Sequence, residues 1–125
     1  MTTTTIVTRA GALVGIAASF LLAATQASGH AKLVSTTPKA SSTVSSPQII
    51  QVHFDEAIEV KLSSLKLTMS DGTAVSVMGM NDAKDPSTLS IMPNATLKAG
   101  VYTAAWSIVS DDGHKESGTF KFTVK

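Results

Sequence analysis

No cysteine occurs anywhere in the chain. That excludes a disulfide framework, a thiolate metal site and a cysteine nucleophile, and leaves methionine as the only soft sulfur donor. Aromatic residues are few, with one Trp, one Tyr and four Phe. Charge of either sign is scarce, with ten Lys and Arg against nine Asp and Glu. Nucleic acid and anionic membrane surfaces both require clustered positive charge, so neither is an expected partner. Neither a Gly-x-Ser-x-Gly elbow nor a glycine-rich phosphate loop is present, and no nucleophile-base-acid pattern stands out. At 125 residues the chain has room for one domain and little more.

Only one long apolar run exists, and it lies near the start. Residues 1–9 are polar with a single positive charge at Arg9, and residues 10–24 contain Ser19 as their only polar side chain. Thr25-Gln26-Ala27-Ser28-Gly29 follows. This is the order of a secretory signal, and its apolar part is short of the roughly 20 residues that span a bilayer. Small residues at −3 and −1 direct the cut: Ala27 and Gly29 place it before His30, while Thr25 and Ala27 would place it before Ser28. The expected organisation is a signal peptide over 1–29 and one domain over 30–125. Removal of Arg9 would leave nine basic against nine acidic residues. Cleavage of this kind implies export, to the periplasm or, in a host without an outer membrane, to the cell surface or medium.

Beyond residue 29 the pattern is that of strands, with short alternating runs bounded by Gly, Pro, Ser, Asn and Asp. The runs are 33–37, 49–54, 65–69, 89–92, 100–109 and 118–124. Asp71-Gly72 reads as a hairpin turn with a return strand over 73–77. Helical periodicity is absent apart from a turn near 55–62, and the Ser-rich stretch 41–46 reads as a loop. About seven short strands predict an all-β, immunoglobulin-like Greek-key sandwich or barrel. Trp106, Phe54, Phe120 and Phe122 are its expected core, and Tyr102 is also expected to be buried.

Three histidines carry the candidate chemistry. If His30 becomes the first residue, its α-amine and ring Nδ1 can close a six-membered chelate ring on a metal. Reference pKa values near 7.7 and 6.5 make both easy to deprotonate at neutral pH. Nitrogen donors of this kind suit Cu(II) in tetragonal geometry. Asp112-Gly113-His114 could add a carboxylate and an imidazole from one face, with Gly113 bending the backbone between them. Taken alone, that tripeptide reads rather as a turn with a solvated histidine. Glu56 is a candidate outer ligand or hydrogen-bond acceptor for a ligating ring. His53 points opposite to Val52 and reads as structural or supporting. Met69, Met78 and Met80 flank the hairpin region, and methionines scattered through strands are expected chiefly in a core; a Cu(I) site would need them clustered.

With those residues in view, the chain resembles the copper-resistance protein C (CopC) family of exported copper-binding β-barrels. The resemblance begins with His30-Ala31-Lys32-Leu33-Val34-Ser35 and Thr37-Pro38, then runs through Val52-His53-Phe54-Asp55-Glu56 and Leu65-Lys66-Leu67-Thr68-Met69. It continues with Leu97-Lys98-Ala99-Gly100-Val101-Tyr102 and Trp106, and ends in Val109-Ser110-Asp111-Asp112-Gly113-His114, Gly118, Phe120 and Val124. It implies one Cu(II) held by the His30 amine and ring, Asp112 and His114, with Glu56 nearby in some members. It also implies a monomeric copper carrier or buffer that works with a CopD-type inner-membrane copper transporter. Members with a separate Cu(I) site carry a Met- and His-rich loop after the position of Met69. Here that loop is Ser70-Asp71-Gly72-Thr73-Ala74-Val75, without sulfur, so the resemblance is to the Cu(II)-only subgroup.

Two other readings use the same residues. A metal-free immunoglobulin-like interaction module would make His30 and His114 bystanders. A copper oxygenase also uses a terminal histidine and a second histidine, but it needs an aromatic docking face, which one Trp and one Tyr in the core would not provide.

Overall fold

The computed structural model describes residues 31–125; the expected signal peptide, 1–29, and His30 lie outside the described residues. Eight strands follow one another: β1 (Leu33–Thr37), β2 (Thr43–Val44), β3 (Ile50–Phe54), β4 (Ser64–Met69), β5 (Val77–Gly79), β6 (Thr88–Pro93), β7 (Gly100–Val109) and β8 (Lys115–Val124). A single 3-10 turn, Val60–Leu62, falls inside the expected 55–62 turn. The strands form two four-stranded sheets, β1-β3-β6-β5 and β2-β8-β7-β4. Every pairing is antiparallel except β2 with β8. The chain changes sheet repeatedly and stays within one only at β5–β6 and β7–β8, which gives a sandwich with interleaved connections.

Period-two alternation builds the core. Ile50, Val52 and Phe54 of β3 and Leu65 and Leu67 of β4 are buried in one core, and Tyr102, Ala104, Trp106 and Ile108 line the inner side of β7. Each large side chain buried here contributes about 1.5–3 kcal/mol. Phe54 meets Trp106 edge-on across the two sheets, with ring centroids 5.1 Å apart at 72°. Tyr102 stacks on Phe122 at 5.7 Å, and its hydroxyl donates to the Lys98 carbonyl at 2.7 Å. That bond closes the start of β7 in the manner of the tyrosine corner of immunoglobulin-like sandwiches. All the aromatic residues expected in the core are buried.

Two expectations fail locally. Residues 73–77 do not return as a full strand beside β4; they keep only the bonds from Met69 N–H to the Thr73 carbonyl (2.9 Å) and from Val75 N–H to the Leu67 carbonyl (2.9 Å). The chain then crosses to the other sheet as β5, with Val75 beside β4 and Val77 beside β6 both packed against the core. The 41–46 loop contains β2, whose two residues pair in parallel with Thr123 and Val124.

At one end of the sandwich three segments are tied together. The Lys32 N–H donates to Asp55 Oδ1 at 2.7 Å and the Asp55 N–H returns to the Lys32 carbonyl at 3.0 Å. Ile58 bridges Ser110, the Asp111 N–H donates to the Ala57 carbonyl at 3.3 Å, and the Glu59 N–H donates to the Val109 carbonyl at 2.7 Å. Ala31 is fully buried in the core cluster. The start of β1, the segment after β3 and the β7–β8 turn are therefore held as one unit.

Gly118 lies opposite Trp106 in the β7–β8 register, and a Cβ added there would sit 2.5 Å from the indole Cζ2. Gly118→Ala should therefore cost about 1–3 kcal/mol through displaced packing. Chemical denaturation followed by Trp106 fluorescence checks this; an unchanged midpoint and emission maximum would contradict it.

Candidate metal centre

The long β7–β8 hairpin ends in a tight turn. The Gly113 N–H donates to the Ser110 carbonyl at 2.8 Å, and the Ser110 N–H donates to the His114 carbonyl at 2.9 Å. Gly113 takes φ of 88°, a left-handed conformation that a side chain would oppose. Asp112 and His114 thus come together across a turn, with the bend at Gly113 that the sequence suggested. His114 Nδ1 lies 2.9 Å from Asp112 Oδ2, with the two side chains 55% and 39% exposed.

Ser110 sets the charge of this pair. It is almost fully buried, and its hydroxyl donates a short hydrogen bond to Asp112 Oδ1, which also receives the His114 N–H at 3.3 Å. The Ser110 hydroxyl first, then the His114 side chain, hold the Asp112 carboxyl down at about 2, against a small opposing desolvation. Asp112 is therefore an anion at any physiological pH. An Nδ1–H directed at that carboxylate makes Nε2 the deprotonated nitrogen of neutral His114, the arrangement by which a carboxylate orients a ligating imidazole.

Of the four residues expected at the site, the structure brings Asp112 and His114 together. Glu56 is exposed in the segment after β3, next to Ala57, whose carbonyl accepts from Asp111. Among the described residues no three His, Cys, Asp or Glu side chains converge as a metal group, so Glu56 does not complete a set with the pair. A tetragonal Cu(II) site needs further donors. His30 lies outside the described residues; the residue after it, Ala31, is buried at the same end as the pair.

His53 faces away from Val52, as its alternation requires. Its Nδ1 is 2.7 Å from Thr88 Oγ1, and the Thr88 hydroxyl donates to Asp85 Oδ2 at 2.8 Å. Since that hydroxyl proton is committed to a carboxylate, Thr88 accepts from His53 Nδ1–H. Sequence reasoning missed this relay, whose members are 35 residues apart, and it missed the role of Ser110, whose burial depends on the Ile58 bridge.

Residues 33–125 match the family model described as the CopC domain. Copper resistance protein C of Escherichia coli is 37% identical over 106 residues, covering 79% of this chain and 84% of that protein. The crystal structure of CopC from Methylosinus trichosporium OB3b superposes with a TM-score of 0.72 at 30% identity, covering 77% of this chain and 94% of that one. Copper transport protein CutJ of Bacillus subtilis is 30% identical over 97 residues, which are 76% of this chain but 18% of that protein.

In the copper-free protein, Asp112 should titrate at about 2, and Ser110→Ala should move it up toward 3.8. A depressed folded pKa stabilises the fold above the unfolded value, and the benefit is lost as pH falls through the folded one. The wild type's advantage over Ser110→Ala from this source should thus be complete above pH 3.8 and vanish toward pH 2. Carboxyl-detected NMR titration and acid unfolding check it; an ordinary Asp112 titration in both proteins would contradict it.

Proposed function

The chain belongs to the CopC family of copper-resistance proteins, and from that premise we propose that it is an exported, non-enzymatic carrier or buffer of one Cu(II) ion. The observation that carries the proposal is the Asp112–His114 pair, built at the end of the sandwich where the chain enters the core at Ala31. His30, exposed by cleavage after Gly29, would add its α-amine and ring nitrogen to the His114 imidazole and the Asp112 carboxylate. Three nitrogen donors and one oxygen favour the cupric ion. Asp112 is already anionic and has no proton to give up on binding. Glu56 supplies a nearby carboxylate outside the immediate donor set.

A closed set with a negative ligand suits storage and transfer better than turnover of oxygen. Trp106 and Tyr102 are buried and build no aromatic docking face, which also weighs against an oxygenase. Copper passes, in this proposal, between the monomeric periplasmic carrier and a CopD-type inner-membrane transporter. The match to a small part of a copper transport protein supports that association, since the same kind of domain occurs there within a longer chain.

The naturally exported protein should have an intact mass starting at His30 and should bind one equivalent of Cu(II). One residue added before His30 should weaken Cu(II) binding by more than the roughly 10–100-fold that loss of an outer-sphere partner costs. His114→Ala should do likewise. A mass starting at Ser28, or an affinity indifferent to the added residue, would refute the proposal.

A further inference from the structure

Two aliphatic side chains are held firmly in the open at the end of the sandwich that carries Asp112 and His114. Leu62 is 68% and Val34 60% exposed, more than any other large hydrophobic residue among those described. Leu62 stands on the 3-10 turn, which is tied to the end of β7. The Glu59 N–H donates to the Val109 carbonyl at 2.7 Å, the Val109 N–H to Ser63 Oγ at 3.1 Å, and the Ser63 hydroxyl to the Glu59 carbonyl at 2.8 Å. Val34 occupies an irregularity in the β1–β3 register. Leu33 pairs with Phe54 and Ser35 with His53, so Val34 has no residue opposite it. The paired bonds between Lys32 and Asp55 fix the chain just before it. Met78 and Met80, expected in the core, are exposed for a different reason: Val77 faces inward on β5, which turns both of them out.

Charge is sorted along the same axis. The 80–88 segment joins this end through the bonds from Phe54 N–H to the Ser87 carbonyl and from Ile58 N–H to the Pro86 carbonyl, both 2.9 Å. Together the segments 31–33, 55–64, 80–88 and 109–116 hold eight of the nine acidic residues and only four lysines. Asp71 and the other five lysines lie elsewhere in the sandwich. A balanced chain therefore has one acidic end, and its field reaches about 8 Å into a physiological salt solution. Aliphatic side chains do nothing for a hydrated cation, and surplus carboxylates repel anionic lipid and nucleic acid. What fits both features is a protein face with a small apolar centre and a rim of Lys and Arg. Aliphatic contacts already fixed in place lower the ordering cost of such an encounter. We propose that this end, with Val34 and Leu62 as its apolar contacts, is the docking face for a protein of that chemistry that exchanges copper with the carrier. The proposal rests on the carrier reading above and adds which surface meets the partner and what the partner presents.

The test compares Cu(II) transfer from the loaded protein to a CopD-type transporter in neutral phosphatidylcholine nanodiscs with transfer to the small chelator EDTA. The double variant Val34→Thr/Leu62→Gln should slow transfer to the transporter more than about tenfold. Its Cu(II) affinity, its transfer to EDTA and its unfolding midpoint should match the wild type. Wild-type transfer to the transporter should fall steeply with added salt, and Glu59→Lys should flatten that dependence. Val101→Thr, on an exposed residue at the opposite end of β7, should change nothing. Equal transfer rates in wild type and double variant, a rate indifferent to salt, no transfer from the loaded wild type, or phosphatidylglycerol vesicles binding the wild type but not the double variant would overturn the docking face. A wild type that takes up no Cu(II) fails at the titration, before any transfer, and sinks the carrier reading together with this one.

Discussion

The hydrogen bond from Ser110 to Asp112 connects the core of this sandwich to its chemistry. Ser110 is buried because it bridges Ile58, itself a core residue, and because it closes the β7–β8 turn through Gly113 and His114. From that fixed position its hydroxyl holds one carboxylate oxygen of Asp112, and the other is left to face the His114 ring. Packing therefore becomes charge: a half-exposed aspartate is kept ionised, and a half-exposed histidine is kept in one orientation. A pair made only of surface side chains would have to fix both rotamers at an entropic cost on each binding event. Here the fold has already ordered one of them.

The same alternation that fills the interior also sorts possible metal donors by kind. Inward positions of β3, β6 and β7 are taken by aliphatic and aromatic side chains. Nitrogen and oxygen donors collect at the end of the sandwich, where hairpin geometry and not strand pleat sets their spacing. Met78 and Met92, paired across the β5–β6 ladder, fall on the outer face of the first sheet.

Most of the fold was legible in the sequence because its long strands alternate large apolar and polar residues. The runs 33–37 and 100–109 coincide with β1 and β7. β2 was not legible, since Thr43-Val44 in a Ser-rich stretch has no pattern of its own and is fixed by pairing with residues 80 positions later. β5 was misplaced because Asp71-Gly72 is a genuine turn signal, and only the burial of Val75 and Val77 decides where the chain goes next. At the site, Asp112-Gly113-His114 could be found because the three residues are contiguous. Ser110 could not, because a buried serine is a tertiary fact. The exposure of Met78 and Met80 has the same cause: hydrophobicity alone places methionine inside, and the register of β5 places it outside.

The copper proposal stands on imidazoles from two distant parts of the chain sharing one cupric ion. Pulsed electron paramagnetic resonance of the exported protein carrying one equivalent of Cu(II) addresses that most directly. Couplings from two inequivalent histidine rings, one of them lost in His114→Ala, are the expected result. A spectrum with coupling to a single ring, unaltered by that substitution, would contradict the account.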